Sequence, residues 1–437
     1  MNTRLTTDLR IDGGRLIRRI EELATVGPIE GGGSCRLALT DEDRAGRDLV
    51  VAWMNELGLS VSVDAIGNVI GVRRGRSNGP PIMTGSHIDT VRTGGRYDGN
   101  LGVLAGLEVI ETLERHGVQT EHPVAVAFFT DEEGARFPPD MLGSLVYVGG
   151  LGLEAALEIV GIDGAIVGEE LARIGYRGLA PCPGPIPRAF VELHVEQGPV
   201  LEAEGTTIGA VTGVQGISWK ELTITGQSNH AGTTPMDLRH DAGYVAAAIA
   251  VYLRQLALEM SDGRSDRQVA TAGRLNLHPD LVNVVAGSAT MTVDLRNTDE
   301  KLLREAEAAL ARFVAQTAAA EGVTVAERTL ARFEPVAFDD QIVETVAAVA
   351  TELGHTVRRM PSGAGHDAQM LARVCPTGMV FVPSRDGISH NPAEYTDPAD
   401  LVAGADVLLH TLLAFDAADF DEQLCGTAKG NIEGHDQ

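Results

Sequence analysis

The sequence predicts an α/β protein: a mixed, mostly parallel sheet with helices on both faces, into which a smaller ferredoxin-like α+β domain is inserted. Three observations carry this prediction. Short, almost continuously apolar runs such as PVAVAFFT and GMVFVPS alternate with amphipathic stretches of helical length, the pattern of strands buried on both faces by crossover helices. Between residues 214 and 333 the rhythm changes to the order β-α-β-β-α-β, that of a split-βαβ sandwich. The length, 437 residues, exceeds what one small core organises. Two domains are therefore expected, 1–213 with 334–437 and an inserted 214–333.

The elements follow in order. Residues 41–58 (DEDRAGRDLVVAWMNELG) space their apolar residues as a helix does and stop at glycine. VSVDAIGNVIGVRRG and PPIMTGSHID read as strands, LGVLAGLEVIETLERHG as a helix, and PVAVAFFT as a buried strand. In the inserted part ISWKELTITG is a strand and PMDLRHDAGYVAAAIAVYLRQLALEM a long helix. RQVATAGRLNLHP and SATMTVDLRN are strands, TDEKLLREAEAALARFVAQTAAAEG is a helix, and VTVAERTL is a strand. In that second helix Leu302, Leu303, Ala306, Leu310, Phe313 and Val314 share one face, with Asn297 or Thr298 expected as N-cap. The α/β rhythm then returns through DDQIVETVAAVATELG, GMVFVPS and a closing helix, DPADLVAGADVLLHTLLAF. The tail CGTAKGNIEGHDQ has no periodicity and is expected to be mobile.

Composition excludes some functions. A formal net charge of −26 argues against binding nucleic acid or an anionic membrane, both of which need a basic surface. Local arginines can still bind a small anion inside an acidic protein. Cys35, Cys182, Cys375 and Cys425 show no CxxC spacing and fit reduced thiols better than a disulfide frame. The N-terminus lacks the apolar core of a signal peptide, and no later run is expected to span a bilayer. A soluble cytoplasmic protein is the expectation.

Chemistry gathers where α/β sheets place it, at the carboxyl ends of strands. His87 and Asp89 follow IMTG; Asp131, Glu132 and Glu133 follow AVAFFT. Asp98, His194 with Glu196, His366 and His390 lie in similar positions or in glycine loops. One such histidine is usually a hydrogen-bonded structural residue. Several clusters, all in the α/β portion, point instead to a metal hydrolase. Nitrogen and oxygen donors without thiolates suit zinc, manganese, cobalt or nickel. Strand alternation puts Glu192, His194 and Glu196 on one face, and pattern alone leaves open which of them would bind metal. Likewise Thr292, Asp294 and Arg296 share the polar face of their strand.

GSHIDTVRTGGRYDGNLGVLAGLE, FTDEEGARF, VELHVEQGPVLE, GQSNHAGTTPMDLRHDA, VNVVAG with VDLRN, and SGAGHDAQ with DGISHNPAEY together resemble the hydantoinase/carbamoylase amidases. These form a branch of the dimetal aminoacylase and carboxypeptidase clan, peptidase family M20. The resemblance runs from about residue 20 to 415. It implies two divalent metal ions per subunit, with Asp98 bridging them, His87 and His194 on one, and Glu133 and His390 on the other. It makes Glu132 the general base and Asp89 the carboxylate that orients His87 through the imidazole's second N–H. Gln197, Asn283 and His366 would contact substrate, Arg296 would clamp its carboxylate, and His230 would stabilise the oxyanion, often from the partner subunit of a homodimer. Glycine-loop N–H groups beside His366 could also meet an anion. No role is attached to Asp131, and Arg92 and Arg96 are taken to balance local acid. VNVVAG departs from relatives that carry proline at Ala286, which affects turn stiffness alone. The implied reaction is cleavage of the carbamoyl C–N bond of an N-carbamoyl-L-amino acid. Allantoate and N-carbamoyl-β-alanine are the near alternatives; a dipeptidase, an aminoacylase or a non-catalytic binder of ureido ligands are the weaker ones. The inserted domain is expected to act as lid and dimerisation domain.

Overall fold

The computed structural model describes residues 8–261 and 268–417; the tail and Cys425 lie outside the described residues. The chain divides into two compact units, one made of the residues up to Gly213 and from Ala337 onward, the other Val214–Val336.

Six strands precede or enter the first crossing: β1 (Ser60–Val63), β2 (Val69–Arg73), β3 (Ile82–His87), β4 (Val124–Phe129), β5 (Ala189–Val195) and β6 (Ile208–Val214). Four more belong to the second unit: β7 (Gly216–Thr225), β8 (Val269–His278), β9 (Ser288–Asn297) and β10 (Thr324–Phe333). The last three are β11 (Val336–Ala337), β12 (Val357–Ser362) and β13 (Thr377–Val382).

The first unit is a nine-stranded sheet in the order β1-β2-β4-β3-β5-β13-β6-β11, with β12 also paired to β6. Its centre, β4-β3-β5-β13, is parallel, and antiparallel pairings at β1-β2, β2-β4 and β13-β6 flank it. The continuous apolar runs form that centre because both faces are covered. Along β5, Leu193 reaches Gly404 in the helix Pro398–Ala417, while its neighbour Glu192 accepts the N–H of Ala368 in the helix Asp367–Leu371. Successive side chains point to opposite faces, so helices cover both sides. β3 and β4 run in register to their ends, where His87 lies opposite Phe129. The register brings the histidine loop and the acidic turn together.

The helix Pro398–Ala417 is long and apolar enough by composition to cross a membrane, contrary to expectation, yet most of it is buried in the protein. Its polar residues serve the fold: Asp406 accepts the Ile11 N–H at 2.9 Å and His410 Nε2 meets Leu9 O at 2.9 Å. It is a core helix.

The second unit has the strand order β10-β7-β9-β8, with every adjacent pair antiparallel. Helices Ala242–Ser261 and Glu300–Glu321 supply Val245, Ile249, Leu253, Leu303, Ala306 and Leu310 to one core with Leu222, Met291, Val293 and Leu295. Burial alternates residue by residue along β9, which leaves Thr292, Asp294 and Arg296 on the outer face. Two boundaries differ from expectation. The first helix begins at Ala242 because the Asp241 carboxylate accepts the N–H groups of Gly243 and Tyr244. The second is capped by Asp299, which accepts Leu302 N–H at 3.0 Å, while Asn297 in turn accepts the N–H of Asp299.

Candidate metal centre and active site

The carboxyl ends of β3 and β5 and the loops after β3, β4 and β13 bring five expected ligands together. Asp98, 4% exposed, stands between two groups. Its Oδ1 lies 3.2 Å from His194 Nε2 and 3.6 Å from His87 Nε2; its Oδ2 lies 3.3 Å from His390 Nε2. His390 Nε2 is also 3.1 Å from Glu133 Oε2. The ligand atoms of His87, Asp98 and His194, and of Asp98, Glu133 and His390, each lie within 4.8 Å of one another. One carboxylate thus offers an oxygen to each of two donor sets.

The hydrogen bonds test whether this donor set suits cations. His87 Nδ1 lies 3.0 Å from Asp89 O, and His194 Nδ1 lies 2.8 Å from Val195 O. A carbonyl only accepts, so each Nδ1 carries a proton and it is the Nε2 of each ring that faces Asp98. Nε2 atoms gathered around one carboxylate require positive charge among them, as protons on the rings or as a cation in their place. The same demand appears in the titration behaviour. Burial opposes it, but Glu132 and Asp98 hold His87 well above the usual imidazole range. Hydrogen bonds to Asp98 and Glu133 raise His390 to about 10. Burial would raise Asp98, yet hydrogen bonds from His194, His390 and His87 hold it well below the carboxylate range. Metal ions satisfy that demand with N and O ligands, and the residues fit them.

The two adjacent glutamates face different histidines. Glu132 Oε2 lies 3.4 Å from His87 Nε2, whereas Glu133 faces His390. Burial pushes the Glu132 carboxyl well above its ordinary range, the condition of a proton carrier. The turn that splays them is held by Asp89, whose carboxylate accepts the N–H groups of Glu132 at 3.3 Å and Glu133 at 3.4 Å. This corrects the expected contact. The backbone carbonyl of Asp89 orients His87, and its carboxylate, raised to about 6 by burial, shapes the glutamate turn.

Hydrogen bonding distinguishes the three polar residues of VELHVEQG, although the ligand atoms of Glu192, His194 and His366 also lie within 4.8 Å of one another. Glu192 accepts Ser86 Oγ–H at 2.6 Å and the Ala368 N–H at 2.9 Å. Glu196 caps the short helix Val200–Glu204 through the N–H groups of Val200 and Leu201, both at 2.8 Å. His194 alone is turned to Asp98. Gln197, at φ 58°, donates from Nε2 to Asp98 Oδ2 at 2.8 Å, and its Oε1 has no partner among the described residues. His366 departs from expectation. It is 1% exposed, its Nε2 is 2.8 Å from Ser362 Oγ, and its ring packs 4.5 Å from that of His194. Burial keeps it neutral, well below its usual range. It buttresses His194 from a closed position.

Three expected residues lie in the second unit. A short bridge pairs His230 with Val284, and Ala231 N–H donates to Asn283 O at 2.9 Å, so His230 and Asn283 share one exposed corner. His230 Nδ1 accepts the Gly232 N–H at 3.1 Å, which places the neutral ring's proton on Nε2 as a donor. Arg296 is held by Asp294, at 3.1 Å from Nε and 3.0 Å from Nη2, and lies over the Trp219 ring at 5.7 Å.

Comparison with known proteins follows the same lines. The sequence profile of peptidase family M20/M25/M40 matches residues 83–414. The N-carbamoyl-L-amino-acid amidohydrolase of Rhizobium meliloti is 41% identical over 92% of this chain and 96% of its own length. The chain belongs to peptidase family M20/M25/M40. Within it the chain is an amidase of the hydantoinase/carbamoylase type. A solved structure of such an amidase from Burkholderia multivorans superposes with a TM-score of 0.90 at 47% identity, covering 93% of this chain and 98% of that one. The ureidoglycolate hydrolase of Arabidopsis thaliana is 34% identical over 93% of this chain and 87% of its own length.

Some residues around the amidase centre had no signal that pattern reading could use. Arg36 is fully buried, and its guanidinium donates to the carbonyls of Leu23, Val26 and Ile88 and to Asn100 Oδ1. It joins the N-terminal segment to both ends of the His87–Asp98 loop. Asp131 stands at φ 55° with both carboxylate oxygens buried and unpartnered among the described residues. Arg96 donates to Gly32 O at 2.6 Å rather than to an acid. Glu394, four residues beyond His390, is 4% exposed and accepts the Asp98 N–H.

Proposed function

We propose that the protein is a dimetal N-carbamoyl-L-amino-acid hydrolase that releases the amino acid, carbon dioxide and ammonia. The observation that carries this reading is Asp98 facing two donor sets with Glu132 beside one of them. The substrate class is supported by the name of the Rhizobium meliloti relative. Two divalent ions, zinc or manganese, cobalt or nickel, would be held by His87, Asp98 and His194 and by Asp98, Glu133 and His390, and would supply Lewis acidity toward water and the ureido carbonyl.

The chain's own residues then divide the work. Glu132 takes the proton from the attacking water and passes it to the amino-acid nitrogen as the C–N bond breaks. The carbamate left behind decomposes to carbon dioxide and ammonia. Gln197 Oε1, an acceptor with no partner among the described residues, suits a ureido N–H better than a carboxylate. The Nε2–H of His230 suits the developing oxyanion. Asn283 contacts the substrate amide, and Arg296, oriented by Asp294 and Trp219, takes the substrate carboxylate. His366 supports His194.

Arg296→Ala is expected to raise KM and to lower kcat/KM about 100-fold, equivalent to roughly 2–3 kcal/mol for a lost charged contact. Unchanged kcat/KM would remove Arg296 from the site. The deciding experiment is metal-dependent ammonia release from N-carbamoyl-L-methionine, allantoate, N-carbamoyl-β-alanine and ureidoglycolate, with each ion in turn. Ureido acids are the second reading, favoured by the Arabidopsis thaliana relative; preference for one of them over the carbamoyl amino acid would select it. No ammonia from any would leave a ureido-binding protein.

In this reading the second unit serves as lid and dimerisation domain of a cytoplasmic homodimer. Its support is the exposed apolar series Tyr244, Val251 and Leu258, seven residues apart on one helix, and Leu275 and Leu277 on the sheet-edge strand β8. A fully active monomer in sedimentation equilibrium would refute the dimer and assign His230 to its own chain.

A further inference from the structure

The loops carrying Asp98 and His390 are far apart in the sequence, and one buried side chain joins them. Glu394 Oε1 accepts the backbone N–H of Tyr97 at 2.8 Å and that of Asp98 at 3.2 Å. Its Oε2 lies 3.2 Å from Ser389 Oγ, and the same hydroxyl lies 3.0 Å from Asp98 Oδ2. Space for the carboxylate exists because residue 95 is glycine; a Cβ at Gly95 would overlap it. A further tie runs in parallel, from Thr93 Oγ1 to His390 O at 3.0 Å.

We propose that Glu394 is a positioning residue that locks the Asp98 loop to the Ser389–His390 loop and thereby sets the ligand geometry of the Asp98–Glu133–His390 set. The inference rests on the two-metal reading above. Its logic is one of donors and acceptors. The N–H of Asp98 belongs to the same residue whose carboxylate must face two ways, so fixing it limits how that carboxylate can rotate. The Ser389 hydroxyl lies within hydrogen-bond distance of both carboxylates and has one hydrogen that the two oxygens share, so it couples Glu394 to Asp98 from the residue beside His390. A plain structural acid would bond scaffold groups; this one bonds the ligand residue's own backbone. Partners outside the ligand shell typically change metal affinity 10–100-fold when removed.

The test is cobalt(II) titration of the metal-free full-length protein, followed by visible absorption and by equilibrium dialysis. The wild type is expected to take up two ions. Glu394→Ala is expected to keep the first and bind the second about 10–100-fold more weakly, with an altered second-site spectrum and a fall in kcat larger than any change in KM. Glu394→Gln, whose amide oxygen can still accept both N–H groups, is expected to keep second-site affinity within about threefold, since positioning rather than charge is at stake. Ser389→Ala, which removes the hydroxyl that stands between Glu394 and Asp98 Oδ2, tests the proposal if the alanine variant at 394 does not fold, and should weaken the second ion by about 3–10-fold. Wild-type affinities for both ions in Glu394→Ala, or in Ser389→Ala, would overturn the proposal. So would equal damage from Gln and Ala. A wild type that binds fewer than two ions would instead overturn the two-metal reading itself.

Discussion

At the scale of single residues, environment assigns different duties to chemically similar side chains. Glu132 and Glu133 are adjacent, yet one faces His87 and the other His390. Glu132→Gln keeps shape and removes the proton acceptor. It is expected to lower kcat about 10²–10⁴-fold, the range for general acid–base catalysis, while metal content by elemental analysis stays at the wild-type value. Normal kcat would reassign the base. The candidate ligands were legible in the sequence because each follows an apolar strand or sits in a glycine loop. Their tautomers were not, because a histidine's second nitrogen is set by whatever carbonyl the fold brings to it. Asp89 shows the limit: the HID spacing suggested a carboxylate–imidazole contact, and the backbone carbonyl makes it instead.

At the scale of elements, the turns after parallel strands do the positioning. β3 and β4 end in register, so the histidine loop and the acidic turn meet without further design. Gly99 closes the loop at φ 65°, and a Cβ there would overlap the His87 ring. Gly99→Ala therefore strains the backbone by about 1–2 kcal/mol and displaces a ligand. Its expected signature is at least tenfold weaker binding of the ion at His87 together with a lower melting temperature, read by dialysis and calorimetry. Wild-type affinity would show that the loop yields elsewhere. Strands and helices were largely legible from periodicity, since their apolar spacing answers directly to burial. Helix starts were less so: Asp241 and Asp299 cap helices where the apolar pattern alone extended the first helix upstream and suggested Asn297 or Thr298 for the second.

At the scale of the whole molecule, metal, protonation and stability are linked. In the metal-free protein the His390 proton stays on up to about pH 10, against an ordinary 6.5. A raised folded-state value contributes stability that is complete below pH 6.5 and lost as pH rises through 10. The same proton must leave when a cation binds. Chelated protein is thus expected to lose melting temperature between pH 7 and 10. Metal affinity should climb over the same window, and uptake near pH 7 should release protons measurable by titration calorimetry in buffers of different ionisation heat. Uptake without proton release would place the cation away from His390.

The sequence by itself determined the α/β class, the β-α-β-β-α-β order of the second unit and the ligand types, because those follow from periodicity and residue chemistry. Only the tertiary structure decided which acid serves which partner. Glu192 and Glu196 leave the centre to His194, Asp89 turns its carboxylate to the glutamates, and Glu394 reaches Asp98 across 296 positions. The physical reason is that a hydrogen bond depends on distances of about 3 Å, and no local pattern encodes which distant atom will lie at that distance.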